Sequence, residues 1–151
     1  MQQVKSLLAV ALIALAAGCS SSGGATAGAP DLQFQLTQFG SAADTFYFRG
    51  PMNVQYQLAI HNPTNATYTL RRLDLQSVGQ GAYSIRTGNS PITRTIAAGG
   101  TTTIGLSAWA RARGGYLTAE EPVTIRGIAY FEAPDGRHFQ RVFTQTLSQF
   151  R

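Results

Sequence analysis

From Asn53 to Ser77 apolar and polar positions alternate, break at a turn, and alternate again. Val54, Tyr56, Leu58 and Ile60 are interleaved with Gln55, Gln57, Ala59 and His61. This is the period-two pattern of a strand with one buried face. Asn62-Pro63-Thr64-Asn65 ends it. Pro63 has no N–H for a ladder and holds Asn62 extended, while Asn and Thr side chains satisfy turn backbone. A second strand carries Tyr68 and Leu70 on one face, and Leu73 and Leu75 resume the apolar positions after Arg71-Arg72. The parity slips by one residue there, as a β-bulge requires.

The rest of the chain from Asp31 reads as short strands between turn signals. Leu32, Phe34 and Leu36 alternate with glutamines, and Phe46-Tyr47-Phe48 is a short aromatic segment leading into the central pair. Gly79-Gln80-Gly81 turns the chain into Ala82–Arg86, and Gly88-Asn89-Ser90-Pro91 turns it into Ile92–Ile96. Ala97-Ala98-Gly99-Gly100 leads to Thr101–Trp109, where Thr102, Ile104, Leu106 and Ala108 share a face. Near the end, Glu132-Ala133-Pro134-Asp135-Gly136-Arg137 predicts a hairpin with Gly136 in the left-handed position of a bulge. Closing Ala133 against Arg137 sets Phe131 opposite Phe139, Gly127 opposite Phe143 and Val123 opposite Leu147. Gly127 then makes room for a ring. Arg141 falls on the face of the two phenylalanines, which predicts a wet sheet edge or a second bulge that re-aims it. Seven to nine antiparallel strands at this spacing predict an all-β sandwich over 31–151.

The N-terminus follows different rules. Lys5 precedes Leu7–Ala17, a mostly apolar run of eleven residues. A membrane span needs about 20 apolar residues, so the run suits a secretory signal. It ends in Leu15-Ala16-Ala17-Gly18-Cys19, which resembles the lipobox of bacterial lipoproteins; Ala16 stands where Leu is commoner. That resemblance implies removal of residues 1–18 and acylation of Cys19, the chain's one cysteine. It makes the membrane a partner through a lipid anchor. Ser20, in place of the Asp that retains such proteins at the inner membrane, implies the outer membrane, facing the periplasm. Residues 19–30 form a small, polar, Gly-rich linker that cannot bury enough surface to fold. Its eleven residues after the cysteine reach roughly 18 Å.

Composition adds two constraints. There are 12 basic and 7 acidic residues, a formal charge of +5 that falls to +4 once Lys5, the only lysine, is removed. With one cysteine no intrachain disulfide forms, so packing must supply the stability. Export and the absence of a long basic run argue against nucleic acid as a partner.

Three runs, L-A-I-H-N-P-T-N-A-T-Y-T-L-R-R-L-D-L, T-I-A-A-G-G-T-T-T-I-G-L and P-V-T-I-R-G-I-A-Y-F-E-A-P-D-G-R, resemble the WHy domain. This is the water-stress and hypersensitive-response domain of type-2 late-embryogenesis-abundant proteins. The family's Asn-Pro pair, Gly-rich turn and strand glycine match Asn62-Pro63, Gly99-Gly100 and Gly127 over roughly Val54–Phe143; Thr64 departs from the Asn that often follows the pair. The resemblance implies an immunoglobulin- or fibronectin-III-like sandwich with a stress-protective role and no catalytic site.

Residue chemistry points the same way. His61 and His138 are the only histidines, and no His/Asp/Glu cluster has metal-ligand spacing. No phosphate loop, dinucleotide fingerprint or nucleophile elbow occurs, so neither cofactor, metal nor catalytic residue is expected. An enzyme with a site scattered along the chain is the weaker alternative. The remaining candidate is a loop after Trp109, where Arg111, Arg113 and Tyr116 combine an aromatic plate with two guanidinium forks. Such a loop suits an anionic glycolipid or an envelope protein, the latter making the chain an accessory subunit of an envelope assembly. The simpler account is that arginines keep strand edges soluble. Oligomeric state is not legible.

Overall fold

Alternation in the sequence becomes two facing layers in the structure. The computed structural model describes residues 28–39, 51–87, 90–112 and 122–147. Among them lie eight strands: β1 (Gln33–Gln38), β2 (Pro51–His61), β3 (Tyr68–Val78), β4 (Tyr83–Ile85), β5 (Ser90–Ile96), β6 (Thr101–Ala112), β7 (Val123–Glu132) and β8 (His138–Leu147). Sheet one has the order β1-β2-β6-β4 and sheet two the order β5-β3-β7-β8. Every strand pairing is antiparallel. The division of β1, β2 and β6 from β3, β7 and β8 is that of an immunoglobulin-like sandwich. Cys19, Phe46–Phe48, Gly88-Asn89, Arg113 and Tyr116 lie outside the described residues.

The core forms where the inward faces meet. Val54, Tyr56, Leu58 and Ile60 of β2 are fully buried, opposite Leu70, Leu73 and Leu75 of β3 and Ile125, Ala129 and Phe131 of β7. Each large aliphatic side chain so buried contributes about 1.5–3 kcal/mol. The β3 parity slip is a bulge: Leu70 pairs with Phe131 and Arg72 with Tyr130, leaving Arg71 extra. Leu70 and Leu73 therefore both point inward. Arg71 bonds Glu132 at 2.7 Å, and the Arg72 guanidinium lies 3.7 Å from the Tyr130 ring centroid.

The last hairpin has the predicted register, with Phe131, Gly127 and Val123 opposite Phe139, Phe143 and Leu147. Gly136 has φ +79° and Ala133 N–H donates to the Arg137 carbonyl at 2.8 Å. A Cβ on Gly127 would fall within the Phe143 ring. That ring is fixed from its other side by Phe34, stacked at 4.8 Å. The expectation for Arg141 is corrected. Pairing runs unbroken through Ala129 and Arg141, so no second bulge occurs, and the residue is only 7% exposed. Its guanidinium stays among the inward side chains and bonds Asp31, just before β1.

Two joints were less legible. Asn62, expected only as a turn residue, is fully buried. Its amide nitrogen donates to the carbonyls of Ala66 at 2.7 Å and Ala97 at 3.0 Å, while its oxygen accepts from Thr64 N–H and hydroxyl. It thus ties the β2–β3 turn to the β5–β6 turn. The second joint is β4. Tyr83–Ile85 pairs with β6 in sheet one, but Arg86 bridges Gln76 of β3 and Thr87 N–H donates to the Leu75 carbonyl. The chain changes sheets within two residues.

Candidate functional site

Outward positions of sheet one carry the candidate residue Trp109. Strand β6 alternates Thr103, Gly105, Ser107, Trp109 and Arg111 to solvent against Ile104, Ala108 and Ala110 inside. Trp109 is 70% exposed, the most exposed large apolar side chain described. The strand continues three residues past it, because Pro51 pairs with Arg111 on one side and Ser84 on the other. Arg111 is therefore a strand residue on the same face as Trp109, not a loop residue as the sequence suggested. Trp109 and Arg111 are brought together; Arg113 and Tyr116 lie outside the described residues.

Sequence reasoning passed over Phe39. It follows β1 with the parity of Gln33, Gln35 and Thr37, and its N–H donates to the Gln55 carbonyl at 3.0 Å. It is 47% exposed. The available signal was that parity, hidden because the alternation of Leu32, Phe34 and Leu36 draws attention to the opposite face. Register sets Gln55 beside Ser107 and Asn53 beside Trp109. Phe39 and Trp109 thus stand on one face with β2 between them, one two-residue step apart. Strand spacing and rise place their Cα atoms roughly 12 Å apart. Asn53 and Ser107 bond each other at 2.8 and 3.0 Å, fixing the polar floor beside the indole.

Charge is divided between the sheets. The four strands of sheet one hold no acidic residue and a single arginine, Arg111. Those of sheet two hold Arg71, Arg72, Asp74, Arg94, Arg126, Glu132 and Arg141. Arg71 and Arg72 form ion pairs with Glu132 and Asp74, which accounts for that doublet as a structural part of the bulge.

Among the described residues β1 and β8 are the outermost strands of their sheets on one side, and they lie side by side. Leu36 N–H donates to the Gln145 side-chain carbonyl at 2.8 Å across the seam. A groove of about 990 Å³ follows it, lined by Gln33, Gln35, His61 and Thr101 on one flank and Arg141 and Gln145 on the other. His61 Nδ1 is 3.0 Å from the Thr101 hydroxyl, a cross-strand contact at the surface. His138 is exposed opposite Glu132. Among the described residues, no three of His, Cys, Asp and Glu stand close enough together to hold a metal ion. The buried polar pair Tyr56–Tyr83 is internal: the Tyr83 hydroxyl donates to Gln38 at 2.6 Å and accepts from Tyr56 at 2.7 Å. Burial first, and then the neighbouring Tyr83 oxygen, hold the Tyr56 phenol well above its ordinary pKa. Among the described residues no helix is long and apolar enough to cross a membrane.

No sequence family and no curated protein matches the chain. Solved structures share its fold. A structural-genomics target, SoR45, is similar at TM-score 0.54 with 10% identity, over 78% of this chain and 84% of the other. A Bordetella pertussis protein provisionally named ApaA is similar at TM-score 0.51 with 14% identity, over 80% and 94% of the two chains. At such identities the likeness is one of fold alone: the chain is an eight-stranded, two-sheet antiparallel β-sandwich.

Proposed function

We propose that this chain is an exported lipoprotein, acylated at Cys19 and held at the outer membrane facing the periplasm, whose WHy-like sandwich is a non-catalytic binding or stress-protective module. The single observation carrying the binding role is Trp109, an indole 70% exposed on a register-fixed strand beside Arg111. An exposed, rigidly mounted tryptophan next to a guanidinium is the composition of binding hot spots. The lipobox-like segment and the small, polar linker support the address, since several acyl chains make a durable anchor where one holds only marginally.

Two experiments test the proposal. Full-length protein expressed in a Gram-negative host should incorporate a fatty-acid analogue and fractionate with the outer membrane; Cys19→Ser should do neither. Label retained on the Cys19→Ser protein would sink the anchor. Trp109→Ala combined with Arg111→Ala should keep the melting temperature while reducing crosslinking to envelope components. An unchanged crosslinking pattern would leave this face as plain solvated surface.

A further inference from the structure

We infer that the outward face of sheet one is a platform for a glycan strand of N-acetylated sugars, the polysaccharide of the cell wall. The inference rests on the binding-module reading and names the ligand of the same face. Its first support is chemistry. The outward positions Gln33, Gln35, Thr37, Gln55, Gln57 and Thr103 present amides and hydroxyls to solvent. Such groups donate and accept without charge, which matches hydroxyls and acetamido groups. Only Arg111, at one end, and His61, at the other, can carry charge within these strands.

The second support is the placing of apolar surface. Of the three exposed large hydrophobic residues among those described, Phe39, Val78 and Trp109, two stand on this polar face. Sugar rings have apolar C–H faces and polar rims, so aromatic plates set in an amide floor suit them. The rough 12 Å between Phe39 and Trp109 is about the length of two linked pyranoses. One strand of sugars can therefore lie on both rings while its hydroxyls meet Asn53 and Gln55 of β2 between them. A protein partner would call for a larger apolar centre, and a phosphorylated headgroup for clustered cations, of which the strands of this sheet hold one.

The test uses the full chain in detergent with purified, insoluble cell-wall sacculi, starch serving as a sugar without acetamido groups. Co-sedimentation with sacculi should persist in high salt, because neutral contacts are not screened. It should fall about tenfold with either Phe39→Ala or Trp109→Ala, and stay unchanged with Arg126→Ala on the opposite face. Melting temperatures confirm that each variant folds. Loss of sedimentation in salt, equal sedimentation with starch, or indifference to both aromatic substitutions overturns the glycan assignment. So does concentration-dependent self-association lost in Trp109→Ala, which would make the face a homodimer contact. If sacculi fail to bind while Trp109 still governs crosslinking to another envelope component, the glycan assignment falls and the binding module stands. If Trp109 governs neither, both fall.

Discussion

Asp31 and Arg141 form a 2.8 Å ion pair in which the cation is buried and the anion is not, their side chains being 9% and 83% exposed. The pair fastens the segment before β1 to the last strand, 110 residues away. Removing the partner of a buried charge costs more than an exposed pair is worth, although the solvent-facing carboxylate moderates the loss. Asp31→Ala should therefore destabilise by about 1–2 kcal/mol. Arg141→Met should cost less, because an apolar chain of similar length leaves no buried charge unpaired, the Asp31 carboxylate being solvent-facing. Denaturant midpoints with an unchanged slope measure both. An Asp31→Ala midpoint equal to wild type would remove the pair from the stability account.

Gly127 tolerates no side chain while Phe143 is held against Phe34. Gly127→Val should destabilise by about 1–3 kcal/mol through overpacking. Combining it with Phe143→Leu should recover part of that loss, since the two sites share one space. Strict additivity in the double-mutant cycle would contradict the contact.

Tyr56 makes stability sensitive to alkali. The folded state keeps a phenolic proton that the unfolded chain releases above pH ~10, because burial and the adjacent Tyr83 raise the folded pKa. Its contribution is whole below that pH and is lost above it, at about 1.4 kcal/mol per pH unit. Tyr56→Phe should cost about 0.5–1.5 kcal/mol at neutral pH and make the alkaline decline shallower by one proton. Urea unfolding across the alkaline range checks the slope; identical slopes in the two proteins would refute the assignment.

Asn62 satisfies carbonyls from two turns at once. Asn62→Ala should cost about 1–3 kcal/mol from the buried groups left unpaired. Asn62→Asp should cost more, since a carboxylate would face those carbonyls in place of an amide N–H. A smaller effect for Asn62→Asp than for Asn62→Ala would mean that the amide is not the joint between the turns.

Local chemistry made much of this legible. The inward set of β2, the bulge at Arg71 and the register of the last hairpin follow from period, parity slip and a left-handed glycine, each contained in a short run of residues. What escaped notice depends on distant partners. Arg141 could be placed inside only by knowing that Asp31 arrives from the other end of the chain. Strand β6 runs past Trp109 because β2 and β4 flank it, which no feature of Ala110-Arg111-Ala112 announces. The sheet change after Ile85 and the joining of two turns by Asn62 are likewise facts of tertiary pairing. For the candidate site, the outward placing of Trp109 was legible from alternation, whereas the strand position of Arg111, the amide floor and Phe39 became visible only when three strands were laid side by side.

The position of Trp109 along β6 also sets a height. Gln33, the first residue of β1, is level with His61 and Thr101, so the linker enters the sandwich at the end where β6 begins. Trp109 lies eight residues further along that strand, which at strand rise is roughly 27 Å. Under the proposed anchoring at Cys19, a domain standing upright on its linker would carry the indole at its outer tip, away from the bilayer. Lengthening the linker would extend that reach, and inverting the domain on its mooring would draw the indole back among the lipids.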